Sequence, residues 1–206
     1  MTASVERVVT SGVFSLDGQD FDVDNNVWLY GDEDEVVIID AAHDAQAIAA
    51  AVGGRPVKAI VCTHAHNDHV NAAVELAQEL DAPVWLHPAD RFFWDVVHDT
   101  PPGGELTDGQ AITVAGSTLT VLHTPGHSPG GVCLVGDGLV FSGDTLFCGG
   151  PGATGRSHSS FPTILDSIRE RLLSLPPDTV VNTGHGDTTT IGAEASSYDE
   201  WVRRGS

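Results

Sequence analysis

The stretch Thr63-His64-Ala65-His66-Asn67-Asp68-His69 places four metal-capable side chains within six residues. Neutral imidazoles and a carboxylate form a donor set that suits zinc, and also iron or manganese. An apolar, strand-like run from Ala59 to Cys62 leads into the stretch, and an apolar helical pattern follows it. His64 and His66 stand two apart and can point the same way from an extended loop. Asp68 and His69 come one turn later and can face a second ion. The plain alternative is a solvated histidine-rich loop, and the downstream sequence counts against it.

Three more potential ligands recur in Gly-flanked turns. They are His127 in Thr124-Pro125-Gly126-His127-Ser128-Pro129-Gly130, Asp144 in Ser142-Gly143-Asp144-Thr145-Leu146-Phe147, and His185 in Thr183-Gly184-His185-Gly186-Asp187. Each follows an apolar β-like run: Leu119 to Leu122, Leu139 to Phe141, and Thr179 to Val181. A ligand at a strand end is held by the sheet while the loop exposes it, and glycine lets the backbone turn sharply there. One such turn alone is a weak signal; the ordered set of four is a strong one.

An HxHxDH motif, then a single His, an Asp and a last His resembles the metal-binding pattern of the metallo-β-lactamase superfamily. The resemblance runs from about Val8 to Ala193, and within it the chain looks most like single-domain glyoxalase II-like hydrolases. The TPGHSPG turn, GDTLF, the GATGRS loop and the run from Thr183 to Gly192 carry that likeness. It implies an α/β fold of αββα sandwich type, with two mixed sheets face to face and helices outside, in one domain spanning residues 1–206. It further implies that His64, His66 and His127 hold one metal and that Asp68, His69 and His185 hold a second. Asp144 would bridge the two, with Asp68 and Asp144 taking part in catalysis. Two divalent ions, zinc foremost, with iron or manganese also suited, would then activate water as hydroxide. Asp40, closing Val36-Val37-Ile38-Ile39-Asp40, would hydrogen-bond around the ligands and orient them. The family commonly has Pro or Gly after this Asp, whereas Ala41-Ala42-His43 follow here. His43 is read as a helix-start residue.

Bulk composition narrows the partners. A chain of 206 residues with 41% hydrophobic content has the size and make-up of one soluble domain. No window approaches a membrane span, and the segment Met1 to Arg7 lacks the basic-then-apolar order of a leader. A cytoplasmic location is expected. The net charge is −20 and Lys58 is the single lysine; such a surface repels phosphate backbones. No nucleic-acid or membrane partner is expected. Three cysteines without a CxxC pair read as reduced thiols: Cys62 and Cys133 as core residues, Cys148 as a residue near the site.

Along the chain, Val5 to Leu16 reads as a strand or hairpin, and Val27 to Tyr30 and Val36 to Ile39 as strands. Asp44 to Val52 reads as a helix ended by Gly53-Gly54. Strands follow at Val57 to Cys62 and Pro83 to Leu86, and helices at Val70 to Leu80 and Ala89 to Val97. Residues 98–110 read as a loop, and strands are expected at Ala111 to Val114, Ser117 to Leu122, Val132 to Val135 and Leu139 to Phe141. A helix from Pro162 to Leu175 and a strand from Thr179 to Asn182 complete the reading.

The leading functional expectation is hydrolysis of a thioester of a small cellular thiol. The tail after His185 is short, without room for the glutathione-binding extension of two-domain glyoxalase II enzymes. The Arg-rich, Lys-poor, Ala/Gly-rich composition points to an actinobacterial thiol, mycothiol. A persulfide dioxygenase with one iron, or a lactonase, is the alternative within the same fold; a non-catalytic metal-binding module is the least favoured. A β-lactamase is disfavoured because the resemblance gives those enzymes no bridging Asp. Arg156, one of few cations, is a candidate for binding a substrate carboxylate. The loops 98–110 and 149–160 are expected to flank the site, with His158 at its entrance. His87 and His123 are read as packing residues.

Overall fold

The runs Val27-Trp28-Leu29-Tyr30 and Val36-Val37-Ile38-Ile39 are apolar at every position, and the fold explains why. Their odd and even residues enter different cores. Trp28, Tyr30, Val37 and Ile39 meet Ile112, Leu119, Val121, Leu134 and Phe141 between two sheets. Val27, Leu29, Val36 and Ile38 face the opposite way, against Ile48, Val52, Leu76 and Trp94 of the helices. A strand covered on both faces has no polar side to alternate with.

The computed structural model describes residues 3–16 and 19–205. Met1 and Thr2, part of the segment read for a leader, lie outside them. One sheet contains, in order, β1 (Ser4–Leu16), β2 (Gln19–Gly31), β3 (Val36–Ile39), β4 (Val57–Val61), β5 (Val84–Leu86) and β6 (Gly104–Glu105). Its first three strands are antiparallel neighbours, and β3 to β6 run parallel. The second sheet is ordered β14 (Thr189–Thr190), β13 (Val180–Thr183), β10 (Leu139–Gly143), β9 (Val132–Gly136), β8 (Ser117–His123) and β7 (Ala111–Val114). Only the β10–β13 pair in it is parallel. A ribbon of β11 (Leu146–Phe147) and β12 (Gly150–Pro151) stands apart.

Helices α1 (Ala45–Val52), α2 (Asn67–Val70), α3 (Ala73–Leu80) and α4 (Arg91–Val97) cover the first sheet. Helices α5 (Phe161–Ser167), α6 (Ile191–Ala195) and α7 (Tyr198–Arg204) cover the second through Ile164, Ile191 and Trp201, which pack on Cys133, Val140 and Val181. Two mixed sheets packed face to face between helical layers form the αββα sandwich. No helix among the described residues is long and apolar enough to cross a membrane.

The structure corrects four elements. The helix expected over Val70 to Leu80 is two helices, because the Ala72 amide turns aside to donate to Ala41 O (3.1 Å). The helix expected over Pro162 to Leu175 is α5 continued by a π-helical turn, Ile168–Leu172. Residues 98–110 are not all loop, since β6 pairs with β5. The strand read at Val27 to Tyr30 is the inner part of a longer strand, β2, which pairs with β1 along its whole length in a long hairpin. By contrast α1 has the ends its sequence suggests: Asp44 accepts from the Ala47 amide, and Gly53 closes the helix in a left-handed conformation.

Candidate metal centre

The donors gather along one edge of the sandwich. β4 ends at Val61 and passes His64 and His66 before α2, which carries Asp68 and His69. The loop between β8 and β9 brings His127, the end of β10 brings Asp144, and the end of β13 brings His185. Four chain segments far apart in sequence thus meet because each is a strand end on the same side.

Two groups of donors form, sharing Asp144. His66 Nδ1 lies 3.1 Å from His64 Nε2 and 2.9 Å from His127 Nε2. His69 Nε2 lies 3.1 Å from His185 Nε2, and Asp68 Oδ2 is 3.3 Å from His185 Nε2 and 3.6 Å from His69 Nε2. Asp144 faces both groups, with Oδ1 3.3 Å from His69 Nε2 and Oδ2 3.5 Å from His127 Nε2. All seven sequence-selected donors are therefore in one cluster. Gly184 makes room for it, since a Cβ there would lie 2.3 Å from Asp144 Oδ1.

The outward ring nitrogens decide what this cluster can hold. His127 Nδ1 donates to Ala153 O (2.8 Å), and His185 Nδ1 to Asp24 O (2.8 Å). His69 Nδ1 donates to Asp40 Oδ2 (2.9 Å). Thr63 Oγ1 gives its proton to Asp40 Oδ2, so it accepts from His64 Nδ1 at 3.1 Å. Four imidazoles thus keep a proton on the outer nitrogen and aim the lone pair of Nε2 inward. Such outer partners are the usual companions of metal-ligating histidines. Asp144 Oδ1 is buried and has no hydrogen-bond donor. Converging lone pairs and an orphaned buried carboxylate oxygen are unfavourable together unless a cation lies among them. The cluster fits two cations, one at His64, His66 and His127 and one at Asp68, His69 and His185, with Asp144 able to reach both.

Charge on the donors follows the same division. Burial pushes His64, His66 and His127 toward the neutral form, His66 down to about 3. Burial acts the same way on His69 and His185, but Asp144 and Asp68 overcome it and raise both. Asp68 and Asp144 are pushed up by burial and pulled down further by His69 and its neighbours, and both end below the usual carboxylate range. Protons and a cation would therefore compete for His69 and His185.

Asp40 stands behind the cluster in a left-handed conformation (φ 61°). Its Oδ1 accepts from the Thr63 amide (2.7 Å), and its Oδ2 from Thr63 Oγ1 (2.9 Å) and His69 Nδ1. Asp90 is a residue that sequence reasoning missed. It is fully buried, and its carboxylate accepts from the Ala65 amide (3.0 Å), Ser128 Oγ (2.7 Å) and the Gly130 amide. One side chain thereby ties the HxHxDH loop to the loop carrying His127. Asp90→Ala should leave three donors unpaired, at ~1–3 kcal/mol for a buried orphan group. We expect a lower urea midpoint and weaker zinc binding at the three-histidine position; a variant matching the parent in both would remove Asp90 from this role.

A cavity of about 420 Å³ opens over the donors, lined further by Phe14, Val23, Phe147, Cys148, Ala153, Arg156 and Asp187. The expected loop 149–160 contributes to it. Among the described residues, loop 98–110 does not: Leu106 is buried between the sheets instead. Its place is taken by the β1–β2 hairpin, through Phe14 and Val23. Arg156 lies 4.7 Å over the Phe14 ring and makes no ion pair among the described residues. His158 packs on Phe92 and Phe93 rather than lining the cavity. His87 and His123 stack at 4.1 Å, away from the donors. Cys62 and Cys133 are buried core residues, and burial raises both thiols, Cys133 to about 11.

Two mixed sheets with a histidine–aspartate cluster at one edge define a metallo-hydrolase. The family model of the metallo-beta-lactamase superfamily matches residues 21–185, and the chain belongs to that superfamily. Hydroxyacylglutathione hydrolase GloC of Haemophilus influenzae is 30% identical over 187 residues, covering 82% of this chain and 88% of its own. The crystal structure of TTHA1623 in a di-iron-bound form is 36% identical with a TM-score of 0.72, covering 84% of this chain and 93% of that one. The crystal structure of the BLEG-1 B3 metallo-beta-lactamase is 28% identical with a TM-score of 0.82, covering 97% of this chain and all of the other.

Proposed function

We propose that the protein hydrolyses a thioester of a small cellular thiol, at a centre of two divalent ions, zinc foremost. The observation that carries this reading is the convergence of seven donors, of which His66, Asp68, His127, Asp144 and His185 line a small cavity whose other side is Phe14, Val23 and Phe147. Divalent ions bound there would polarise an acyl carbonyl and lower the pKa of water from ~15.7 toward ~7. Asp68 and Asp144, whose neighbours favour the ionised form, would accept the proton of an attacking water. Phe14, Val23 and Phe147 hold the acyl chain and exclude bulk water. Arg156, stacked on Phe14, offers unused donors to an anionic group of the substrate. A cavity of about 420 Å³ suits a small conjugate rather than a macromolecule. The relation to hydroxyacylglutathione hydrolase GloC supports the thioester class. The thiol we propose is mycothiol, and the location we propose is the cytoplasm, with no nucleic-acid or membrane partner.

The test is kcat/KM for matched acyl-glutathione and acyl-mycothiol esters, with a β-lactam and a lactone beside them. The thioesters should be the efficient substrates. A preference of ~10-fold for mycothiol needs only about 1.4 kcal/mol of differential transition-state binding. Efficient glutathione ester turnover without that preference would overturn the thiol assignment. The likeness to BLEG-1 makes the β-lactam the sharpest control: its turnover without thioesterase activity would overturn the whole reading. One iron per chain, with oxygen uptake on a persulfide, would replace the hydrolase by a dioxygenase.

A further inference from the structure

His43 stands in the turn between Asp40 and α1, and the centre described above does not use it. Its backbone is left-handed (φ 61°), a conformation that costs any residue with a side chain. Its ring is wedged against β1 at Gly12, where a Cβ would lie 2.2 Å from His43 Nδ1. A fold that holds a histidine in an unfavourable conformation, and leaves a glycine opposite to admit it, has a specific use for the ring.

The hydrogen bonds around it run in one direction. The His43 amide donates to Asn71 Oδ1 (2.6 Å), which turns the Asn71 Nδ2 group toward His43 Nδ1 (3.0 Å). Nδ1 therefore accepts, and the ring proton sits on Nε2. His43 Nε2 donates to Asn25 Oδ1 (2.9 Å). The fully buried Asn25 in turn donates from Nδ2 to Asp68 Oδ2 (3.2 Å). That oxygen is the one facing His69 and His185. The chain Asn71, His43, Asn25, Asp68 spans α2, the turn before α1, and β2, and it joins the cavity-lining hairpin to one half of the centre only.

We infer that His43, acting through Asn25, is a positioning residue for Asp68 and sets the affinity of the Asp68–His69–His185 position for a cation. His43 fixes the Asn25 amide so that its NH2 group points to Asp68. Without it, the amide is free to turn its oxygen toward the carboxylate, which would repel and displace Oδ2. The inference rests on reading the seven donors as a metal centre and is independent of the thioester substrate.

The test is a titration of metal-depleted protein with zinc against a chromophoric chelator. Two binding steps should appear for the parent, and Asp68→Ala identifies the step that belongs to its position. His43→Leu should weaken that step by ~10–100-fold, the usual effect of losing an outer partner, and leave the other step unchanged. His43→Gln, whose side-chain NH2 can still donate to Asn25, should restore most of the affinity. Asn71→Ala, on the surface, should weaken the same step by a smaller factor, and it reports even if His43→Leu does not fold. Equal loss at both steps, no loss at either, or a His43→Gln variant as weak as His43→Leu would overturn the proposal. A single zinc step in the parent would overturn the two-ion reading itself.

Discussion

Asp144→Ala is expected to lower kcat by at least ~100-fold, the scale of losing a major electrostatic contribution to the transition state, while the protein stays folded. Asp144 is the carboxylate that faces both histidine groups, one oxygen toward His69 and the other toward His127. Alanine removes a ligand from both cation positions at once and leaves two clusters of imidazoles with no shared anion. Metal analysis should show less than two ions per chain after dialysis. The fold survives because the Asp144 carboxylate contacts donors of the centre rather than the cores between and outside the sheets. Circular dichroism and a urea transition would show this. A variant that keeps both metals and most of its activity would show that Asp144 is not the bridge.

The second large effect is expected at Asp40. Asp40→Ala leaves the Thr63 amide, the Thr63 hydroxyl and His69 Nδ1 without their acceptor, all three buried. At ~1–3 kcal/mol for each buried group left unpaired, partly relieved by rearrangement, stability should fall by about 3 kcal/mol or more. The metal-free protein should show this as a lower urea midpoint with an unchanged slope. Metal binding should weaken as well, because His69 without its partner can carry its proton on the inward nitrogen. Asp40→Gly makes a useful companion. It removes the strain of the left-handed backbone yet should still destabilise, since the hydrogen bonds outweigh the strain. A metal-free Asp40→Ala protein within ~0.5 kcal/mol of the parent, the range of an ordinary surface substitution, would refute the account.

The donors were legible in the sequence for a physical reason. Each donor-bearing segment follows an apolar run that reads as a strand, and at His127, Asp144 and His185 an adjacent glycine allows the sharp turn that exposes the donor. Asp90, Asn25, Phe14 and Val23 carry no such mark. Asp90 sits in the turn that begins α4 and reads as an ordinary helix-start acid; its three partners come from residues 65, 128 and 130. Asn25 belongs to Gln19-Asp20-Phe21-Asp22-Val23-Asp24-Asn25-Asn26, a stretch too acidic to read as a strand. It is extended because Val9 to Leu16 of β1 pair with it, and strand propensity yields to such context.

By itself, then, the sequence marked which residues are candidate donors and which runs are strands, and its resemblance to a family implied the αββα sandwich. Only the tertiary structure decided the rest: which nitrogen of each imidazole faces inward, which oxygen of Asp68 meets His69 and His185, and that the β1–β2 hairpin rather than loop 98–110 walls the cavity. Most of these depend on partners far along the chain, such as Asp40 for His69, Ala153 for His127 and Asp24 for His185. Local pattern carries the chemistry of a side chain, but its direction is set by whatever the folded chain brings against it.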